Sequence, residues 1–167
     1  MLEFIVSASL SSLFFGLFGV SWESVDEKIA NEFPQVKFIT TDQLQRIQSS
    51  QQPQSLQLFD VRESSEYSVS HLKGAQNESK ASGIAAIAGD KSTPIVVYCS
   101  VGYRSAAIAA ELQELGFSNV LNLRHSIFEW AEKGYPMLNQ AGDTDKVHPY
   151  NRAWGALIDS SYHLYPN

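Results

Sequence analysis

Cysteine is nearly absent from the sequence: among 167 residues there is one, Cys99. A single cysteine excludes an intrachain disulfide, a Cys-x-x-Cys redox pair and a multi-cysteine zinc site. His125, His148 and His163 also lack the spacing to Asp or Glu that a metal site requires, so we expect no bound metal. Any chemistry at Cys99 must therefore use one thiol, and a second thiol would have to come from another molecule.

Basic residues are also scarce and dispersed. Lys and Arg number 12 against 18 Asp and Glu, which gives a formal net charge of -6, and no dense basic cluster occurs. Proteins that coat nucleic acid usually carry a basic stripe, so we expect no nucleic-acid partner. Neither a P-loop nor a glycine-rich dinucleotide fingerprint is present, so the sequence implies no nucleotide cofactor. Hydrophobic residues make up 44%, which is typical of a globular chain.

The segment 4–20 has no charged residue. As a helix it would span about 26 Å, slightly less than the hydrocarbon thickness of a bilayer. Three interpretations stay open: a cleaved signal peptide, a membrane anchor, or an apolar helix packed on the domain or on a partner. No basic residue precedes the segment, as a signal peptide would require, and no Lys or Arg flanks it to orient an anchor. Membrane-associated or exported locations together are favoured over a cytoplasmic one.

The rest of the chain divides into a linking helix at 21–35, a domain at 36–138 and a loop-rich tail at 139–167. Ser24 and Glu27 have the spacing of a capping box, which predicts a helix that begins there and ends before Pro34. In the tail we expect one further helix at about 154–160.

Strands and helices alternate within the domain. Apolar, β-branched runs predict strands at 36–39, 56–59, 94–98 and 119–123, and helical patterns occupy 41–47, 64–69, 79–88, 106–115 and 126–133. In the fourth of these helices, Ile108, Leu112 and Leu115 should form the buried face. This alternation predicts an α/β domain with a mainly parallel central sheet flanked by helices on both faces.

Cys99 follows the buried strand 94–98, and the helix predicted next begins at about Ser105. Sites in parallel sheets lie beyond the carboxyl ends of the strands, where a loop leads into a helix. Backbone amides of the loop, the helix N-terminus and the cation Arg104 would all favour the thiolate. Cys99 is therefore a candidate nucleophile, although a free cysteine buried at the end of a core strand is the alternative.

Three blocks of sequence form one pattern across the domain. The first runs from Phe59 to Ala75 and contains Asp-x-Arg and His-Leu-Lys-Gly-Ala; the second, Cys99 to Ser105, has the form Cys-x-x-Gly-x-Arg-Ser; the third contains Phe128-Glu129-Trp130 and Gly134-Tyr135-Pro136. In this order the blocks resemble the rhodanese-like domain family, with the second similar to its active-site loop, and the resemblance covers about 36–138. One departure is Arg124-His125, where many relatives have a glycine-rich turn.

The resemblance implies a single-domain sulfurtransferase. Cys99 would take the outer sulfur of a small anionic donor such as thiosulfate or a persulfide, and cyanide or an external thiol would then accept it from the Cys99 persulfide. Arg104 would help to bind the donor. The other expected binding residues are in the loop and in the Asp-x-Arg motif: Ser100, Val101, Gly102, Tyr103, Ser105, Asp60 and Arg62. For Asp60 and Arg62, a structural ion pair is the alternative, and His71 and Gly74 match a mainly architectural motif.

Two other functions remain open within this fold. Cysteine phosphatases and arsenate reductases resemble one another in having five residues between Cys and Arg, whereas here four residues separate Cys99 from Arg104. The shorter loop disfavours a tetrahedral oxyanion. A non-catalytic rhodanese-like binding or regulatory module usually lacks the cysteine, which this chain has.

Overall fold

The computed structural model describes residues 19–50 and 55–166 of the chain. Nearly all of the apolar segment 4–20 lies outside these ranges, as does part of the polar loop at 48–55, so the three interpretations of that segment stay predictions. Within the described ranges, no helix is both long enough and apolar enough to cross a bilayer.

The described part of the chain alternates helices and strands. The helices are α1 (Trp22–Glu32), α2 (Thr41–Ser49), α3 (Ser64–Val69), α4 (Ala81–Ala88), α5 (Tyr103–Glu114), α6 (Ser126–Glu132) and α7 (Arg152–Gly155), followed by a short 3-10 helix (Ser160–Tyr162). The strands are β1 (Lys37–Ile39), β2 (Gln57–Asp60), β3 (His71–Leu72), β4 (Gln76–Asn77), β5 (Ile95–Tyr98), β6 (Val120–Leu123), β7 (Met137–Asn139) and β8 (Gly142–Thr144).

Five strands form the central sheet in the order β1-β6-β5-β2-β4, and every neighbouring pair is parallel. β5 lies in the middle, with Val96 in register with Leu58 of β2 on one side and Leu121 of β6 on the other. The predicted α/β class with a mainly parallel sheet is confirmed. The carboxyl end of β5 therefore delivers Cys99 to the centre of one sheet edge.

Alternate residues of β5 face two separate cores, because successive side chains of a strand point to opposite faces of the sheet. Val96 and Tyr98 belong to a core that includes Val25 of α1, Leu44 of α2 and Ile127 of α6. Ile95, Val97 and Cys99 belong to a second core, with Ile84 of α4 and Leu112 of α5. Helices thus cover both faces of the sheet, which explains why β5 is apolar at every position.

Two helix boundaries differ from the sequence prediction. α1 begins at Trp22, and its capping box pairs Ser21 with Ser24 rather than Ser24 with Glu27: each hydroxyl accepts a hydrogen bond from the other residue's backbone N–H, at 3.0 and 3.2 Å. α5 ends at Glu114, so Leu115 lies past its last turn and is 45% exposed, against expectation. Phe117 enters the core there instead.

The tail has more structure than the sequence suggested. β7 and β8 form a hairpin that pairs with β3 in a small antiparallel sheet. The helix expected at 154–160 is wrong: α7 is capped by Asn151, and the separate 3-10 helix is capped by Asp159. Val147, Leu157 and Ile158 are buried in the same core as α1, which holds the tail against the domain.

A fully buried ion pair lies where β2 ends. The Arg62 guanidinium donates to both carboxylate oxygens of Asp60, the shortest N–O distance being 2.6 Å, and also to the backbone carbonyl of Ser70 at 2.6 Å. Neither side chain has any exposed surface. Removing one partner of such a pair leaves an uncompensated charge inside the protein.

We predict that Asp60→Ala lowers the free energy of unfolding by about 3–5 kcal/mol, because Arg62 then stays charged and buried without its partner. Urea denaturation measures this change. Asp145→Ala is the matched control, because Asp145 pairs with Lys146 at the surface, where we expect a change below about 0.5 kcal/mol. A loss of stability below about 1 kcal/mol for Asp60→Ala would contradict a structural role for the pair.

Candidate active site

The chain passes from β5 into α5 through a short turn that starts at Cys99. α5 begins at Tyr103, earlier than the predicted start near Ser105, so Arg104 and Ser105 lie in its first turn. The early start depends on Gly102, whose φ of 103° lies in the left-handed region that favours glycine. A Cβ atom at this position would approach the Leu123 carbonyl oxygen to 3.4 Å.

The N-terminus of α6 holds this turn from behind. The backbone N–H groups of Ile127 and Phe128 donate to the carbonyls of Cys99 and Ser100, at 3.2 and 3.1 Å. The Ser126 hydroxyl accepts from the backbone N–H of Cys99 at 3.1 Å. These bonds satisfy the carbonyls of Cys99 and Ser100 and the amide of Cys99, and they fix the turn that leads to Gly102.

The Cys99 sulfur lies among hydrogen-bond donors and is 1% exposed. The backbone N–H of Gly102 donates to Sγ at 3.2 Å, and the Ser105 hydroxyl lies 3.4 Å from it. Burial alone would raise the pKa of Cys99, but the charge of Arg104 and the donors of Ser105 and Gly102 together lower it. The thiolate is therefore more populated than that of an ordinary cysteine.

Asn122 ties the turn to β6, and sequence reasoning missed it. Its Nδ2 donates to the Gly102 carbonyl at 2.9 Å, and its Oδ1 accepts from the Ser105 hydroxyl at 2.6 Å. The available signal was an amide inside the apolar run 120–123, because a buried polar side chain needs partners. Asn122 is 3% exposed.

Glu66 of α3 was also missed as a site residue, although it belongs to the first block of the family resemblance. Its two carboxylate oxygens accept from the two terminal nitrogens of Arg104, at 2.8 and 2.7 Å. Arg104 also donates to the Ser100 hydroxyl at 3.0 Å. Burial raises the pKa of Glu66, but Arg104 more than offsets this effect, so the net shift is downward and Glu66 is ionised at neutral pH.

Asp60 and Arg62, expected among the donor-binding residues, do not line the cavity at Cys99. Their side chains are engaged with each other and have no exposed surface. The geometry therefore corresponds to the structural alternative, a pair that braces the chain beyond β2. His71 is likewise architectural: its ring stacks on Tyr67 at 3.9 Å and its Nδ1 contacts the Tyr67 carbonyl.

A cavity of about 160 Å³ lies over Cys99. Of the expected residues, the turn and α5 contribute Ser100, Val101, Tyr103 and Arg104 to its wall, whereas Gly102 and Ser105 contact the sulfur from beneath. The rest of the wall comes from the tail: Tyr150 lies against the Arg104 guanidinium at 4.1 Å, and Trp154 stacks on Tyr103 at 6.4 Å. The tail is rich in aromatic residues, but no sequence pattern predicts that Tyr150 and Trp154 lie beside Cys99.

The turn at Arg124-His125, where the sequence departs from the family pattern, has unusual backbone geometry. His125 and Ser126 both have positive φ angles, 57° and 48°, which glycine adopts more readily. Contacts of the His125 ring with Glu129, Asp26 and Trp22 stabilise the turn. Within the described ranges, no cluster of three or more His, Cys, Asp or Glu side chains could hold a metal.

Comparison with known proteins identifies the family of the chain. The family model for the rhodanese-like domain matches residues 40–133, more than half of the chain. The chain is 33% identical over 112 residues to a thiosulfate sulfurtransferase, GlpE, of Pseudomonas aeruginosa, covering 63% of this chain and 99% of the relative. It is 35% identical over 86 residues to a probable adenylyltransferase/sulfurtransferase, MoeZ, of Mycobacterium tuberculosis, covering 48% of this chain and 21% of that longer protein.

A crystal structure of another thiosulfate sulfurtransferase from Pseudomonas aeruginosa has the same fold, with a TM-score of 0.60 at 20% identity over 71% of this chain and 23% of that one. The chain belongs to the rhodanese-like domain family. The first of the two sequence relatives is named as a sulfurtransferase and the second as a probable one.

We predict that Ser105→Ala slows alkylation of Cys99 by iodoacetamide about two- to tenfold at pH 7, because loss of a donor raises the pKa of the thiol and depletes the thiolate. The pH profile of labelling should move to higher pH. Ser68→Ala, which removes an exposed hydroxyl bonded only within α3, should leave the profile unchanged. An unchanged profile in Ser105→Ala would show that the hydroxyl proton serves Asn122 alone.

Proposed function

We propose that the protein is a sulfurtransferase that carries a sulfane sulfur on Cys99 as a persulfide. The observation that supports this most directly is the position of Sγ, 3.2 Å from the Gly102 amide at the start of α5, in surroundings that lower the pKa of the thiol. Membership of a family whose named relatives are sulfurtransferases supports the same assignment.

The reaction has two balanced halves. The Cys99 thiolate attacks the outer sulfur of a donor such as thiosulfate; the new S–S bond forms as the old one breaks, and sulfite leaves with its electron pair. Cyanide or a thiolate then attacks the outer sulfur of the persulfide, and Cys99 leaves as the thiolate. No oxidant or reductant is consumed, and one cysteine is sufficient.

The backbone of the turn would stabilise the anion in both halves. The Gly102 amide and the N-terminus of α5 place partial positive charge at the sulfur. The negative charge of the persulfide would lie close to the same groups. Arg104 acts from the side, through its charge and its hold on Ser100. We assign Cys99 the role of nucleophile and Arg104 that of an electrostatic and positioning residue.

The turn disfavours the phosphatase alternative. The Gly102 amide is bonded to Sγ, so in this arrangement it is not free to bind an oxygen of an oxyanion. The four-residue separation of Cys99 from Arg104 supports the same preference for a single sulfur atom over a tetrahedral oxyanion.

We predict that Cys99→Ser eliminates formation of thiocyanate from thiosulfate and cyanide, because a hydroxyl neither carries a persulfide nor matches the nucleophilicity of a thiolate. Steady-state assays of the wild type and of Cys99→Ser measure this, and equal urea midpoints for the two proteins would show that the fold is intact. Wild-type protein should not hydrolyse aryl phosphates.

Thiocyanate formation by Cys99→Ser at the wild-type rate would overturn the assignment of the nucleophile. Efficient hydrolysis of an aryl phosphate by the wild type would instead favour the phosphatase. A folded, thiolate-bearing wild type that transfers no sulfur from any donor would indicate a binding module.

A further inference from the structure

The cationic group closest to the reaction is already neutralised. Among the residues that the structure describes, Arg104 is the one cationic side chain lining the cavity over Cys99. Both of its terminal nitrogens donate to Glu66, which is 2% exposed and therefore screened little by water. The Arg104–Glu66 pair has no net charge, so it attracts an anionic donor less than an unpaired arginine would, although the guanidinium still lowers the pKa of the Cys99 thiol.

Three further cationic or titratable side chains near the cavity wall do not restore a positive field. Lys28, whose Nζ lies 4.9 Å from the centre of the Tyr103 ring, is paired with Glu32. Arg62 is buried against Asp60 with no exposed surface. Burial lowers the pKa of His148, which lies on the tail, so its imidazole is neutral at neutral pH. The charges of Arg104 and Glu66 cancel, so the charge that remains at the cavity is the negative charge of the Cys99 thiolate. This charge repels a dianion more than a monoanion.

Aromatic surface replaces the missing charge. Tyr150 covers the guanidinium face of Arg104 at 4.1 Å, so that face is closed to a ligand. Tyr103 and Trp154 stack on each other at 6.4 Å and form the adjoining wall. The cavity of about 160 Å³ is comparable with an apolar cavity of about 150 Å³ that holds benzene. An apolar or aromatic substituent fits this wall better than a sulfonate oxygen does.

We propose that the cavity selects a sulfane donor of the thiosulfonate type, R–SO₂–S⁻, with one negative charge and an apolar or aromatic R, over the dianion thiosulfate. This inference rests on the proposed sulfur transfer. The Cys99 thiolate attacks the outer sulfur, the bond from that sulfur to the sulfonyl sulfur breaks, and the sulfinate R–SO₂⁻ leaves with the electron pair. Each side of the equation carries two negative charges.

Methanethiosulfonate tests the charge preference, because it differs from thiosulfate by one methyl group in place of one anionic oxygen. The readout is the ratio of kcat/KM for methanethiosulfonate to kcat/KM for thiosulfate, with cyanide as acceptor. In the wild type we expect this ratio to exceed the corresponding ratio for the thiolate of free cysteine by about tenfold or more.

Glu66→Gln releases the charge of Arg104 toward the cavity, so the same ratio should fall about tenfold or more. Comparing one donor pair across variants cancels the difference between the two leaving groups. Glu111→Gln makes the same change in net charge at an exposed position of α5 and should leave the ratio unchanged. An unchanged ratio in a folded Glu66→Gln would overturn the proposal.

Salt dependence of the wild type keeps the proposal falsifiable if Glu66→Gln does not fold. Repulsion predicts that kcat/KM for thiosulfate rises with ionic strength, and more steeply than for methanethiosulfonate. A fall in kcat/KM for thiosulfate would show an attractive cationic site and would contradict the proposal.

The aromatic wall is tested by benzenethiosulfonate. Trp154→Leu should lower the preference for benzenethiosulfonate over methanethiosulfonate about two- to tenfold, and Trp154→Phe should retain much of it. Phe38→Leu, an exposed aromatic on β1 outside the cavity, is the control. No loss in Trp154→Leu would exclude this residue as the wall that binds the substituent.

If no donor transfers sulfur to Cys99, the proposed function itself fails; if thiosulfate is preferred, the donor proposal alone fails.

Discussion

The candidate site depends on the turn that joins β5 to α5 within four residues, from Cys99 to Gly102. The carbonyls of Cys99 and Ser100 and the amide of Gly102 need partners outside regular helix or strand pairing. The N-terminal amides of Ile127 and Phe128 satisfy the carbonyls, and Gly102 alone supplies the left-handed backbone that starts α5 under the sulfur. The thiolate of Cys99 is favoured at the end of a buried strand because the charge of Arg104 and the donors of Ser105 and Gly102 together offset the cost of burial.

The arrangement couples three separate parts of the chain to one sulfur atom. β6 contributes Asn122, which holds the Gly102 carbonyl; α3 contributes Glu66, which fixes Arg104; the tail contributes Tyr150 and Trp154, which enclose the cavity. The buried Asp60–Arg62 pair holds the chain where β2 ends and also bonds the Ser70 carbonyl at the end of α3. The same ionic contact that positions Arg104 also removes its charge from the donor's side, so positioning and donor selection are physically linked.

Local patterns were sufficient for the parallel sheet and for the position of Cys99. The β-branched run at 94–98 is apolar at every residue because the strand is buried on both faces. Such a run can be recognised from the sequence alone. The resemblance also drew attention to Arg104. The partners of these residues could not be predicted in the same way, because Glu66 lies 38 residues from Arg104 and Trp154 lies farther still from Cys99. Such contacts are determined by how the helices and the tail pack on the sheet. Leu115 shows the limit of local patterns: its helical spacing predicted burial, but α5 ends at Glu114 and the side chain is exposed.

Intact-mass spectrometry of the whole chain after treatment with a sulfane donor tests the central claim most directly. Because Cys99 is the only cysteine, any thiol-bound sulfur must be on that residue. The account predicts a gain of one sulfur atom per chain, lost on adding cyanide or a thiol and absent in Cys99→Ser. A chain that gains no sulfur from thiosulfate or from a thiosulfonate, while iodoacetamide still alkylates Cys99, would contradict it.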